Sequence, residues 1–330
     1  LPYFAADWNR GDNSMRLFAA ERFVLGVIAT LFVIDATLIA VKGISVDYAG
    51  YFLCALAGTG VFVLGQFYRK SGRDLRIATA LISSGLFILF SLVASVFNYM
   101  FLPVAFPVID QALFRVDAAF GYSWPDIVIW AATYPWIGKT LFMVYATSLP
   151  QLLLIIITLG FTGKDRMLHH FLVTGVIGAM VSITFWIFFP TYGAKAYHEL
   201  PQWVAQTIPL AVDPAYGREL MRLGQEGVSY LTPRNVLGLI GFPSFHIFMA
   251  AMSVWFVPRY WLAMAVILPL NFVMLLAVLV QGGHHLSDVF GGLVAFVIVC
   301  AASARLLNWL SARERAGEAT TSPAQIVAAE

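Results

Sequence analysis

The chain has 330 residues, of which 60% are hydrophobic and 12% charged, and its mean hydropathy is +0.80. A water-soluble globule of that size has too little interior to hide so much apolar surface, so lipid must solvate most helix faces. Twenty basic against 18 acidic residues leave a net charge of +2, which carries no nucleic-acid footprint.

The first residues, LPYFAADWNRGDNS, are polar and do not read as a signal peptide; Tyr3 and Trp8 suit a membrane interface. Apolar runs long enough to span follow near 20–42, 50–68, 77–102, 137–160, 168–190, 244–258, 260–281 and 286–309, the sixth being short. Pro258-Arg259-Tyr260 joins the sixth tightly to the seventh. The segment 103–136 mixes Asp110, Arg115, Asp117 and Asp126 with aromatics in a helical rhythm and is expected to lie in the interface. The segment 190–243 is the longest polar insertion, and 310–330 is expected to be a disordered tail. No repeat and no sustained strand period is present, so the expected fold is an all-α polytopic membrane helix bundle of about eight transmembrane helices.

Eight spans put thirteen of the twenty Lys and Arg on the side that holds both termini, and seven on the side that holds the two long connections. The positive-inside rule then makes both termini cytoplasmic and turns 190–243 outward. Cys54 and Cys300 each sit in an apolar run and predict no disulfide. Asp35, deep in the first span, is expected to be paired to a neighbouring helix. Asn98, Tyr145, Thr147, Ser148 and Gln151 read as interhelical glue or as the lining of a head-group route. His169 and His170 follow Lys164 and Arg166 and are expected on a solvated or head-group face; His198 stands in the outer loop.

Three of the six histidines fall in two outward-facing stretches, GFPSFHIF with His246 and QGGHHLSDVFGG with His284, His285 and Asp288. One round trip through the membrane separates them, so they meet at one face. Two imidazoles and a carboxylate converging next to helix ends support covalent transfer through a histidine. At i,i+4, Asp288 holds one ring nitrogen of His284 and leaves the other free; His285 at i,i+3 is also within reach. His284 is preferred because Gly282 and Gly283 before it let a substrate approach. The helix entrance favours an anion, and Ser244, after Pro243, is suited to cap the next helix or to hold phosphate oxygens.

PSFH followed by H-x-x-x-D resembles the type 2 phosphatidic acid phosphatase superfamily, whose membrane members share a six-helix core and transfer phosphoryl groups through a phosphohistidine. The resemblance covers roughly residues 75–309, leaving 1–74 as an N-terminal segment with two accessory helices. It implies His284 as nucleophile, Asp288 as its orienter and His246 as the acid for the leaving group. The family pattern has Gly where Phe245 stands and Ser-Arg where Ala277 and Val278 stand, and its first motif is not intact here. With P-S-hydrophobic-H, no Arg and the segment FPTYGAKAY, the chain looks closer to the inositol phosphorylceramide synthase (aureobasidin-resistance) branch. That likeness nominates Lys195 as phosphate clamp; Arg234, ten residues before Ser244, is a second nominee.

The reading is a lipid phosphatase or phosphotransferase with no cofactor and no metal, acting outside a membrane, expected to be a bacterial inner membrane. Its partner is a membrane lipid, with water, a second lipid or a polyol as acceptor. A transporter or flippase using Asp35 and the histidines, and a metal site built from the histidines and Asp288, are the competing readings.

Overall fold

A computed structural model describes residues 17–258 and 260–321, with side chains described up to Ala316 in the last helix. Tyr3, Trp8 and Arg259 lie outside the described residues, as does the stretch 322–330. In lipid every backbone polar group must be satisfied within its own segment, which is why the apolar runs become helices.

In chain order these are α1 (Ala19–Lys42), β1 (Ser45–Val46), α2 (Tyr48–Lys70), α3 (Leu75–Tyr99), α4 (Asp110–Ala119), α5 (Trp124–Thr133), α6 (Pro135–Ala146), α7 (Ser148–Phe161) and α8 (Asp165–Phe188). After a 3₁₀ turn at Ala194–Ala196 come α9 (Gln202–Thr207), α10 (Pro214–Glu226), β2 (Tyr230–Leu231), a second 3₁₀ turn at Pro233–Asn235, α11 (Phe245–Phe256), α12 (Trp261–Gly282) and α13 (Leu286–Thr321). Aspartates start two of the long helices: Asp47 accepts from the Gly50 amide, and Asp74 from the amides of Arg76 and Ile77.

Six helices among the described residues are long and apolar enough to cross a membrane: α1, α2, α3, α8, α12 and α13. The pair α5–α6, bent by 116°, makes a seventh if counted as one span. The other two expected runs are helical but shorter or interrupted. The run 137–160 is two helices, since Pro135 opens α6 at a sharp bend and the chain breaks again at Thr147, with Pro150 in the first turn of α7. The run 244–258 forms only the twelve-residue α11. Large apolar side chains face outward, among them Phe272 at 76% exposure and Val297 at 66%, as a lipid-facing surface requires.

Close helix contacts rest on small residues, because lipid tails give no hydrophobic drive between spans. A Cβ on Gly65 of α2 would stand 2.7 Å from the Ile82 amide nitrogen of α3, and one on Gly160 of α7 would stand 2.5 Å from Ala80 Cβ. Opposite ends of the bundle are tied separately. At one end buried Arg69 donates to buried Glu21 at 2.8 Å, Arg22 pairs with Glu314 at 3.0 Å, and Arg166 donates to Asn308. At the other, Lys42 donates to the carbonyls of Met100 and Leu102, and β1 pairs in parallel with β2.

Several expectations are corrected here. The last helix continues through Thr321 instead of dissolving after residue 310; Ala and Glu favour helix, and Glu314 finds a partner in Arg22. His169 and His170 are buried, because α8 turns them inward: His169 lies 3.5 Å from Glu21, and His170 Nε2 lies 3.0 Å from the Cys300 carbonyl. Asp35 is buried, but its Oδ1 has no hydrogen-bond partner among the described residues, so the expected pairing is not made there. Within 103–136, the segment expected in the interface, α4 packs one face onto the protein. Asp110 and Asp117 are buried on one face of α4 while Gln111 and Arg115 stay exposed on the other. Gln151 does act as glue, accepting from Asn271 at 2.7 Å.

Candidate functional site

Between the end of α12 at Gly282 and the start of α13 at Leu286, the chain makes a three-residue turn, Gly283-His284-His285. Gly283 has φ +63°, a left-handed conformation that glycine adopts without strain, and a Cβ on it would lie 2.6 Å from Lys195 Cδ. A Cβ on Gly282 would lie 2.5 Å from His284 Cδ2. The two glycines thus let the Lys195 chain and the His284 ring share one small space.

His284 Nδ1 is 2.8 Å from Asp288 Oδ2, the i,i+4 contact expected from spacing. The same Oδ2 accepts the His285 amide at 3.0 Å, and Asp288 is fully buried. His284 Nε2 points to Ser244 Oγ at 3.5 Å. Ser244 occupies the N-cap position of α11 yet makes no side-chain cap bond; its hydroxyl is turned toward the imidazole instead. Its amide donates to the Asp288 carbonyl at 3.1 Å, which ties the start of α11 to the start of α13. His246 stacks on Tyr145 with ring centroids 4.4 Å apart, and its centroid is 6.4 Å from that of His284. Lys195 is 5% exposed and donates to the Gly282 carbonyl at 3.3 Å.

Arg234 does not join this group. It is exposed on the second 3₁₀ turn, and its charge acts on Asp47 at the start of α2. Ten residues of separation in sequence gave no bearing on direction, and the turn at Pro233 carries the side chain to the β1–α2 corner. The five other nominees, His284, Asp288, His246, Ser244 and Lys195, are brought together.

Sequence reasoning missed a second layer behind them. His285 is fully buried, with Nδ1 at 2.6 Å from Asp117 Oδ2 and Nε2 at 3.4 Å from Asp110 Oδ1. Tyr122 donates to the His284 carbonyl at 3.0 Å. A signal was present: Asp110, Leu113 and Asp117 recur at helical spacing, which puts both acids on the face α4 buries.

Charge follows from these contacts. Burial pushes the His284 pKa below its ordinary 6.5, although Asp288 pulls the other way. Burial likewise brings Lys195 down to about 8 against the opposing pull of Asp288 and Asp110. For His285, burial is outweighed by the two aspartates, and its pKa is held up at about 9. Burial would raise Asp110, but bonds from His285, Thr191 and the Tyr192 amide hold it below the usual carboxylate range.

A family model described as PAP2 superfamily matches residues 111–302, more than half of the chain, and takes in the turn, α11 and Lys195. The chain belongs to the PAP2 superfamily. Membership supports a phosphatase- or phosphotransferase-type enzyme acting on lipid phosphate, carried by an all-α membrane bundle. The match begins inside α4, so α1, α2 and α3 precede this PAP2 region. No curated protein and no solved structure matches the chain.

Proposed function

We propose that the protein transfers a phosphoryl-linked group from a membrane lipid through a phosphohistidine on His284, with a phosphodiester lipid as donor and a hydroxyl as acceptor. The observation that carries this is the His284 ring, pinned at Nδ1 by Asp288 and aimed at Nε2 toward Ser244. With the Nδ1 proton held by the carboxylate, the Nε2 lone pair is free to attack. It forms a P–N bond as the P–O bond to the leaving group breaks, and His246, protonated once the anionic phosphate sits beside it, gives that oxygen its proton. The acceptor hydroxyl then attacks phosphorus, its proton passes to His246, and the P–N electron pair returns to Nε2. Ser244 and Lys195 meet the charge on the remaining oxygens.

Charge supports the diester. Asp110, Asp117 and Asp288 bring three negative charges to the neighbourhood, against the positive charges of His285 and Lys195, and His285 is already spent between two acids. Ala277 and Val278, where the family pattern has Ser-Arg, are fully buried in an apolar cluster. A dianionic monoester would face one Lys across that excess, whereas a diester carries a single charge. This is the basis for preferring the inositol phosphorylceramide synthase-like branch and head-group transfer. Lipid labelled in its head group and separated by thin-layer chromatography is the test: label is expected in a new lipid, with little water-soluble product. Label released only as water-soluble head-group phosphate would reject transfer, and activity lost with a chelator and restored by a metal would reject the metal-free scheme. The charge asymmetry of the two bundle ends supports an extracytoplasmic site with cytoplasmic termini.

The pKa shifts give kcat/KM a bell-shaped pH profile, since that ratio reports the free enzyme. The acidic limb is His284, which must be neutral, and burial places that limb below the ordinary histidine range. The alkaline limb is Lys195, which must be charged, so activity falls as pH rises through about 8. Lys195→Arg is expected to abolish that limb below about pH 10, because guanidinium does not titrate there. Gly283→Ala is expected to lower turnover about 100-fold, the order expected when strain at this left-handed position shifts the adjoining His284 by roughly 1 Å, while the protein still inserts and folds.

A further inference from the structure

The two halves of the site reach each other through α4, which neither short motif contains. At its C-terminal end, Asp117 takes the His285 ring at 2.6 Å and the Leu286 amide at 2.9 Å, and Tyr122 just beyond holds the His284 carbonyl. At its N-terminal end, Asp110 takes the Thr191 hydroxyl at 2.6 Å and the amides of Tyr192 and Gly193 at 3.1 and 2.9 Å. Lys195 follows two residues later. Tyr197 adds its hydroxyl to Asp110 at 3.1 Å. Seven residues apart on a helix, the two acids share a face and stand about 10 Å apart along the axis. Both are buried, at 1% and 3% exposure.

Such buried acids are costly unless every oxygen is engaged, and here they are engaged by two loops, which also touch directly where Lys195 donates to the Gly282 carbonyl. His285 lies between them with a carboxylate at each ring nitrogen, so both nitrogens carry protons and the ring is a charged strut. We propose that α4 is a template that sets the nucleophile turn and the phosphate-clamp loop at a fixed separation, with Asp117 and Asp110 as positioning residues and His285 as the strut between them. This rests on the phosphohistidine reading for its kinetic consequences. The side chains themselves touch no substrate.

The two acids act on different parts of the reaction, and their kinetic signatures differ accordingly. In full-length protein in lipid nanodiscs, Asp117→Asn loosens the His284 turn and is expected to lower kcat about 100-fold with KM changed less than about twofold. Asp110→Asn loosens the Lys195 loop and is expected to raise KM about tenfold with kcat changed less than about threefold. Equal changes in both constants for both variants, or losses that track the folded fraction on size exclusion, overturn the proposal. Should Asp117→Asn not fold, His285→Gln is expected to give the same kcat loss, and wild-type kcat there overturns the proposal as well. Diethyl pyrocarbonate mapping by mass spectrometry needs no turnover. His285 is expected to be unmodified in the wild type and modified in Asp117→Asn; continued protection overturns the tie between α4 and the turn. If the wild type turns over no phospholipid, the proposed function falls and this mapping alone decides the role of α4.

Discussion

His284→Ala is expected to lower turnover by about 10⁴-fold or more, the order seen when a covalent nucleophile is removed from a site that otherwise stays assembled. The assembly should survive. Asp288 Oδ2 keeps the His285 amide, Ser244 keeps its backbone bond to the Asp288 carbonyl, and the lost ring leaves a space beside Gly282 instead of a broken helix. The cost to folding is that of leaving Asp288 with one charged-group bond fewer, about 1.5–3 kcal/mol. Brief exposure of the wild type to labelled donor lipid, followed by alkaline quench, is expected to leave label on the protein, because a phosphoramidate survives base and is cleaved by acid. The variant is expected to carry none. Wild-type turnover in His284→Ala would falsify the assigned nucleophile, and label retained in the variant would move it to His285 or His246.

The parts of this architecture visible in the sequence are those set by short-range chemistry. Apolar runs of spanning length dictated the long helices because a helix satisfies every backbone polar group within one segment, and i,i+4 spacing placed Asp288 against His284. The meeting of α11 with the α12–α13 turn followed from one membrane round trip. Breaks within apolar runs were harder to see: Pro135 bends the chain before 137–160 begins, and Thr147 interrupts a stretch that is apolar on both sides of it. The acids of α4 were legible as helical but not as buried, since only the tertiary partners Thr191, His285 and Leu286 explain why Asp110 and Asp117 leave water. Arg234 and Lys195 looked alike as loop cations. What separates them is the local backbone, since Gly193 (φ +77°) and Gly283 admit the Lys195 side chain alongside the turn, whereas Arg234 follows a proline that sends it elsewhere.

Asp288→Asn is expected to cost about 10⁴-fold in turnover while leaving the fold intact, through the proton on His284 rather than through packing. The carboxylate fixes the tautomer: it accepts from Nδ1 at 2.8 Å, so the lone pair stands on Nε2, on the side of Ser244. An amide offers two arrangements. With its NH₂ toward the ring it donates to Nδ1, the proton moves to Nε2 and the nucleophile is blocked. With its oxygen toward the ring the tautomer survives, but no negative charge faces the imidazole as it becomes positive on forming the P–N bond. The pH profile separates this effect from simple damage. Asp288 pulls the His284 pKa upward against burial, so its neutralisation moves the acidic limb of kcat/KM to lower pH, while the alkaline limb near pH 8 remains tied to Lys195. Loss of Asp288 also removes an attraction that favours charged Lys195, so that limb shifts, if at all, downward. An acidic limb that moves upward, or full activity in Asp288→Asn, would show that the carboxylate does not orient this ring.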